Sequence, residues 1–125
     1  MNIPRILIAA PSSGSGKTVI SCGLMAAFCR QQKNVVSCKC GPDYIDPMFH
    51  REVLGIDSQN LDLFFCEKEQ LTGIFAEHAK NVDLAVVEGV MGYYDGMGLD
   101  TAKASSYDVA AALQIPVVLV VSARG

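Results

Sequence analysis

Arg5-Ile6-Leu7-Ile8-Ala9-Ala10-Pro11-Ser12-Ser13-Gly14-Ser15-Gly16-Lys17-Thr18 decides the fold. The first six residues are an apolar run of strand length. The next six are Pro, Ser and Gly, which cannot propagate a strand. Lys17 then opens a stretch through Gln32 with apolar residues at Ile20, Leu24, Ala27 and Phe28, close to a period of 3.6. Strand, glycine loop and helix in that order form a Walker A loop. Gly14 and Gly16 let backbone N–H groups turn inward towards phosphate oxygens. Lys17 meets the outer phosphates as a point charge, Thr18 offers a hydroxyl to Mg²⁺, and the helix points its positive end at the anion. Residues Ser13, Gly14, Ser15, Gly16, Lys17 and Thr18 are therefore the candidate nucleotide-binding set. The pattern normally begins with Gly, where this chain has Pro11. The flanking strand and helix supply the context that the motif requires.

Working outward, three more apolar runs read as buried strands: Val35–Lys39, Leu84–Glu88 and Pro116–Ser122. They are rich in Val, Ile and Leu, as parallel strands covered on both faces are. Lys68–Lys80 reads as a second helix, with Leu71, Ile74 and Phe75 on one side. A third, opened by Ser106 or Asp108, runs through Leu113 and ends before Pro116. Strands alternating with helices predict an α/β domain with a parallel, doubly wound sheet of P-loop type, with the phosphate loop at the carboxyl end of the first strand. The last strand runs straight into the terminus with no helix to cover it, so the sheet reads as incomplete at that end. Glu88 closes the Leu84–Glu88 strand, and a carboxylate there lies in the ligand crevice of an open α/β sheet. It is placed to hold Mg²⁺ directly or through water.

Composition narrows the classes. Half of the 125 residues are hydrophobic and 18% are charged, which marks a folded domain. The net charge is -3, and the basic residues form no cluster or stripe, which argues against a nucleic-acid surface. No stretch approaches the ~20 apolar residues of a membrane helix. The five cysteines, with no secretory signal ahead of them, read as reduced thiols in a cytoplasm. Cys38-x-Cys40 has no second Cys/His pair at zinc spacing, so packing is its reading. The two histidines receive no catalytic role: His78 sits in a charged helical stretch and reads as solvated, and His50 reads as helix surface or a neighbour of substrate.

Lys39-Cys40-Gly41-Pro42-Asp43-Tyr44-Ile45-Asp46-Pro47 follows the second strand, with two carboxylates, a phenol and a lysine on a loop stiffened by two prolines. Val87-Glu88-Gly89-Val90-Met91-Gly92-Tyr93-Tyr94-Asp95-Gly96 follows the strand that ends in Glu88. With the phosphate loop and Asn60-Leu61-Asp62, these segments make the chain resemble the cobyrinic acid a,c-diamide synthase family over essentially its whole length. Gly41–Pro47 is the most specific piece.

The resemblance implies ATP- and Mg²⁺-dependent amidation of the a and c carboxylates of a corrinoid precursor in cobalamin biosynthesis. It implies a P-loop synthetase domain joined to a separate glutaminase domain that supplies ammonia, and leaves a homodimer open. It implies that Thr18, Asp46 and Glu88 surround Mg²⁺, that Lys39 reaches towards the transferred phosphoryl group, and that Asp43, Tyr44, Ile45, Tyr94 and Asp95 position the tetrapyrrole. The catalytic candidates are thus Lys17, Lys39, Asp43 and Glu88. The chemistry needs no histidine, because a carboxylate is already ionised at neutral pH and its attack on phosphorus calls for charge neutralisation and positioning. Gly89–Leu99, with four glycines, is expected to be loosely held until it closes on substrate. Other readings are amidation of another tetrapyrrole such as nickel sirohydrochlorin, a ligase like dethiobiotin synthetase, and a ParA/MinD-type nucleotide-switched ATPase. The last usually carries an additional lysine early in its loop, where this chain has Ser12 and Ser13.

Overall fold

A computed structural model describes residues 2–12, 14–41, 45–90, 92–95 and 105–123, with the side chains at 45 and 46 excepted. Five strands form one sheet: β1 (Arg5–Ala9), β2 (Val35–Cys40), β3 (Ser58–Leu61), β4 (Leu84–Glu88) and β5 (Val117–Leu119). All neighbours are parallel, in the order β3-β2-β4-β1-β5. Among the described residues four helices connect them: α1 (Lys17–Arg30), α2 (Ile45–Glu52), α3 (Lys68–His78) and α4 (Ser106–Leu113). The parallel α/β class expected from the sequence is the one observed.

Alternation along the strands separates two cores. Leu7 and Ala9 of β1 and Val36, Cys38 and Cys40 of β2 join Leu71 and Phe75 of α3 and Val109 and Leu113 of α4. Ile8, Val35 and Val86 face the other way, against Met25 of α1, with Ile6, Leu24 and Phe28 packed around them. Each fully buried side chain of this size contributes about 1.5–3 kcal/mol, so a helix layer on both faces holds the sheet. Among the described residues no helix is long and apolar enough to cross a membrane.

Several boundaries differ from expectation for identifiable reasons. The inner stripe of α1 is Ser21 and Met25, both fully buried, while Ile20 and Ala27 are exposed. The helix is apolar on most sides, so periodicity alone does not fix its rotation; small Ser21 allows the close approach. On α3, Leu71 and Phe75 point inward and Ile74 is exposed. β3 was not expected: Ser-Gln-Asn-Leu is polar because it lies at the sheet edge. The proline-containing stretch after β2 was read as a loop through Pro47, yet α2 begins at Ile45. Pro47 is tolerated in the first turn, where an N–H has no intrahelical partner. β5 is shorter than Pro116–Ser122, with Val118 and Leu119 exposed. Ser105 caps α4, its hydroxyl accepting from Asp108 N at 3.3 Å.

Candidate active site

β1 delivers the chain to the phosphate loop at its carboxyl end, and α1 leaves it at Lys17. Gly14 and Gly16 have φ of 77° and 94°, the left-handed region in which a side chain is strained. Ser15 Oγ donates to the Ser12 carbonyl at 3.1 Å, bracing the turn. Gly16 is the N-cap of α1 and has no side chain to cap it, and the first turn holds no acidic residue. The amide groups and positive dipole of this helix end are thus suited to an external anion. Lys17 is buried at the start of the helix, and Thr18 beside it is exposed.

Glu88 lies on the next strand. It is in register with Ile8 of β1 on one side and with Lys39 of β2 on the other. Lys39 Nζ donates to Glu88 Oε2 at 2.8 Å and to the Gly89 carbonyl at 3.3 Å. Both residues are almost wholly buried, at 4% and 1% exposure. Two opposite charges at adjacent strand ends, in low dielectric and one strand from the phosphate loop, form a fixed polar centre.

The segment after β4 is held against the same loop. Gly89 N donates to Ile8 O at 2.8 Å and Tyr93 N to Ala10 O at 2.8 Å. Ser106 Oγ accepts from Val90 N at 2.9 Å and donates to Val90 O at 3.3 Å. Asp95 Oδ2 accepts from Gly92 N at 2.9 Å, closing a tight turn. Of the Gly89–Leu99 stretch expected to be loosely held, the described residues are therefore pinned by hydrogen bonds; Met91 and 96–99 lie outside the described residues. Tyr93, Tyr94 and Tyr107 cluster at centroid separations of 4.9 to 5.7 Å. Burial pushes the Tyr93 phenol up, and Tyr94 and Tyr107 push it further, so it stays neutral. Pro11, Tyr93, Tyr94, Val117 and Leu119 line an apolar cleft of about 340 Å³ beside the phosphate loop.

A Cβ at Gly92 would lie 2.5 Å from the Pro11 carbonyl oxygen, a backbone atom that cannot swing aside. Gly92→Ala is therefore expected to displace the phosphate loop, lowering stability by about 1–3 kcal/mol and weakening nucleotide binding. Thermal melts and calorimetric titration with ATP would check both effects.

Five candidates lie outside what can be placed. Ser13, Asp43 and Tyr44 are outside the described residues, and α2 carries Ile45 and Asp46 by backbone alone. Sequence reasoning missed a buried polar cluster. His50 is fully buried, with Nδ1 2.7 Å from Ser37 Oγ, which lies 2.8 Å from Ser58 Oγ. The surface reading of His50 fails because the ring points into the sheet. The solvated reading of His78 fails too: its Nε2 donates to the Ser37 carbonyl at 2.9 Å. Asn60 Nδ2 donates to Gly41 O at 2.9 Å, tying β3 to the start of the proline loop. The sequence signal for these contacts was Ser37, a polar residue inside the largely apolar β2 strand.

None of the five cysteines forms a disulfide. Cys38 and Cys40 are buried; burial drives both thiols up, Cys40 to about 12, and no metal-ligand cluster forms among the described residues. In a thiol-labelling experiment at neutral pH, exposed Cys29 is expected to react first, and Cys38 and Cys40 only on unfolding.

The chain is 50% identical to the hydrogenobyrinate a,c-diamide synthase of Streptomyces coelicolor over 121 residues, covering 97% of this chain and 25% of that protein. It is 45% identical to the cobyrinate a,c-diamide synthase of Methanocaldococcus jannaschii, covering 99% of this chain and 28% of that protein. The corresponding enzyme of Thermoplasma acidophilum is 41% identical over 125 residues, 28% of its length. The chain thus spans about a quarter of the length of these curated relatives. A model of the CobQ/CobB/MinD/ParA nucleotide binding domain matches residues 6–121, from the first strand through the last. With a glycine loop before α1, an acidic strand end beside it and that match over nearly its whole length, the chain belongs to the CobQ/CobB/MinD/ParA nucleotide-binding family.

Proposed function

We propose that this chain is the nucleotide-binding part of an a,c-diamide synthase, which activates corrinoid carboxylates with Mg-ATP and converts them to amides. The observation that carries the reading is the buried Lys39–Glu88 pair set one strand from the phosphate loop. The names of the relatives supply the substrate class: cobyrinate or hydrogenobyrinate.

The donors suit Mg²⁺, since the Thr18 hydroxyl and the Glu88 carboxylate are hard oxygen ligands at the same end of the sheet, with Asp46 the third candidate. When bound, the ion would offset the charge of the outer phosphates. Lys17 and the amides from Ser13 to Thr18 hold the triphosphate. Lys39, kept at the strand end by Glu88, supplies positive charge to the phosphoryl group as it moves. Asp43, Tyr44, Ile45, Tyr94 and Asp95 orient the tetrapyrrole. A substrate carboxylate oxygen attacks the γ-phosphorus, the bond to the bridging oxygen breaks, and ADP leaves. Ammonia, released from glutamine by a separate glutaminase domain, then adds to the acyl carbon. Phosphate departs with the oxygen that attacked, and the nitrogen loses a proton. The Tyr93–Asp95 turn, lying over Ala10 and Pro11, shields the acyl phosphate from water.

The test supplies ATP, Mg²⁺, an ammonium salt and cobyrinic or hydrogenobyrinic acid to a complete synthase carrying this segment. Diamide formation by mass spectrometry is expected. ATP hydrolysis stimulated by DNA, with no amide formed, would instead favour a nucleotide-switched binding ATPase. In the same assay Asp95→Asn is expected to lower amide formation about tenfold or more while ATP affinity changes little, because the asparagine oxygen can still accept from Gly92 N. Parallel losses would place Asp95 in the nucleotide site.

A further inference from the structure

We propose that His50 is a positioning residue for substrate activation, fixing α2 through a buried link to the strand that carries Lys39. The proposal rests on the functional reading above. α2 has eight residues, too few to be stable without tertiary anchors. Of its residues from Pro47 to Glu52, only Pro47 and His50 are buried, one turn apart; Met48, Phe49, Arg51 and Glu52 are exposed. Pro47 offers no donor. Among the described side chains of the helix whose first turn holds Ile45 and Asp46, two of the proposed substrate and metal residues, His50 thus makes the buried polar contact, and Arg51 Nη1 adds a longer one, donating to the Ser58 carbonyl at 3.4 Å.

The contact is directional. Ser37 Oγ stands between His50 Nδ1 at 2.7 Å and Ser58 Oγ at 2.8 Å. A hydroxyl has one proton to donate, so Ser37 Oγ gives to at most one of these neighbours and accepts from at least one, which couples the three groups. Ser37 lies two residues before Lys39, on the same face of β2. Ser58 opens β3, whose Asn60 holds the Gly41 carbonyl. One buried relay therefore ties α2, β2 and β3 together. An apolar side chain of similar size would fill the space without fixing the helix orientation. His50 is itself fully buried, as a positioning residue rather than a substrate contact would be.

His50→Leu removes the polar link and keeps bulk; His50→Asn keeps a polar atom close to the Nδ1 position. Ser37→Ala cuts the same link from the other side. In a complete synthase, His50→Leu and Ser37→Ala are each expected to lower kcat/KM for the corrinoid acid about tenfold, the equivalent of one hydrogen bond, with the Kd for ATP within about twofold of wild type. His50→Asn is expected to recover most of the loss. Hydrogen exchange on the same proteins is expected to quicken in 45–52 and not in α1. Should His50→Leu fail to fold, Ser37→Ala and His50→Asn decide the matter. Unchanged kcat/KM, parallel losses in ATP affinity and amidation, or an Asn variant no better than Leu would overturn the proposal. If the wild-type synthase amidates no corrinoid, the functional reading falls, and the substrate-positioning role of His50 falls with it; quickened exchange confined to 45–52 would then show a purely structural anchor.

Discussion

Replacing Lys17 with alanine is expected to weaken ATP binding about 100-fold or more while leaving the fold in place. A lysine facing the outer phosphates makes charge-assisted hydrogen bonds, each worth about 1.5–3 kcal/mol, and two of them correspond to that factor. The fold should survive because Ser21 and Met25, which seat α1 on the sheet, are untouched. The first-turn amides remain, so residual weak binding of phosphate is expected. Calorimetric titration alongside a thermal melt separates the two effects. Unchanged ATP affinity would remove Lys17 from the site.

The second large effect concerns the Lys39–Glu88 pair. Glu88→Leu leaves an ammonium buried with its carboxylate partner gone, which typically costs about 3–5 kcal/mol. For a domain of this size that corresponds to a fall of roughly 10–20 °C in Tm. Lys39→Met leaves the carboxylate in the same position and is expected to be comparably harmful. Replacing both residues together, with Met and Leu, removes both charges and their desolvation cost, and is expected to restore most of the stability. It should not restore nucleotide turnover. That split, stability recovered and activity absent, is what distinguishes a pair kept for chemistry from one kept for folding. A double variant as unstable as Glu88→Leu alone would show that the pair stabilises the sheet by more than mutual neutralisation.

Those two residues also show what can be read from a sequence of this kind. Strand, glycine loop and helix around Lys17 are adjacent in the chain, so local pattern places them. Glu88 was legible because it ends an apolar run, and Lys39 because it ends another; that their side chains meet depends on β2 and β4 being neighbours, which no local pattern states. β3 was invisible because an edge strand of four residues has little apolar surface to bury. α2 was hidden by Pro47, which looks like a breaker unless the helix start is already known. His50 was misplaced because its contact is not local: its partner Ser37 lies 13 residues away on β2, and the Ser58 that Ser37 also meets lies 21 residues from Ser37 on β3. The rotation of α1 was unreadable because apolar residues occur on nearly every side of it.

In the proposed mechanism this site transfers phosphate from ATP to a substrate carboxylate. The most direct measurement labels the a and c carboxylates of cobyrinic or hydrogenobyrinic acid with heavy oxygen. A complete synthase carrying this segment then turns over the labelled acid with ATP, Mg²⁺ and ammonium, and the released phosphate is analysed by mass. An acyl phosphate predicts one labelled oxygen in phosphate for each amide formed, because the attacking oxygen leaves with phosphorus. Amide formation with no label in phosphate would contradict the account.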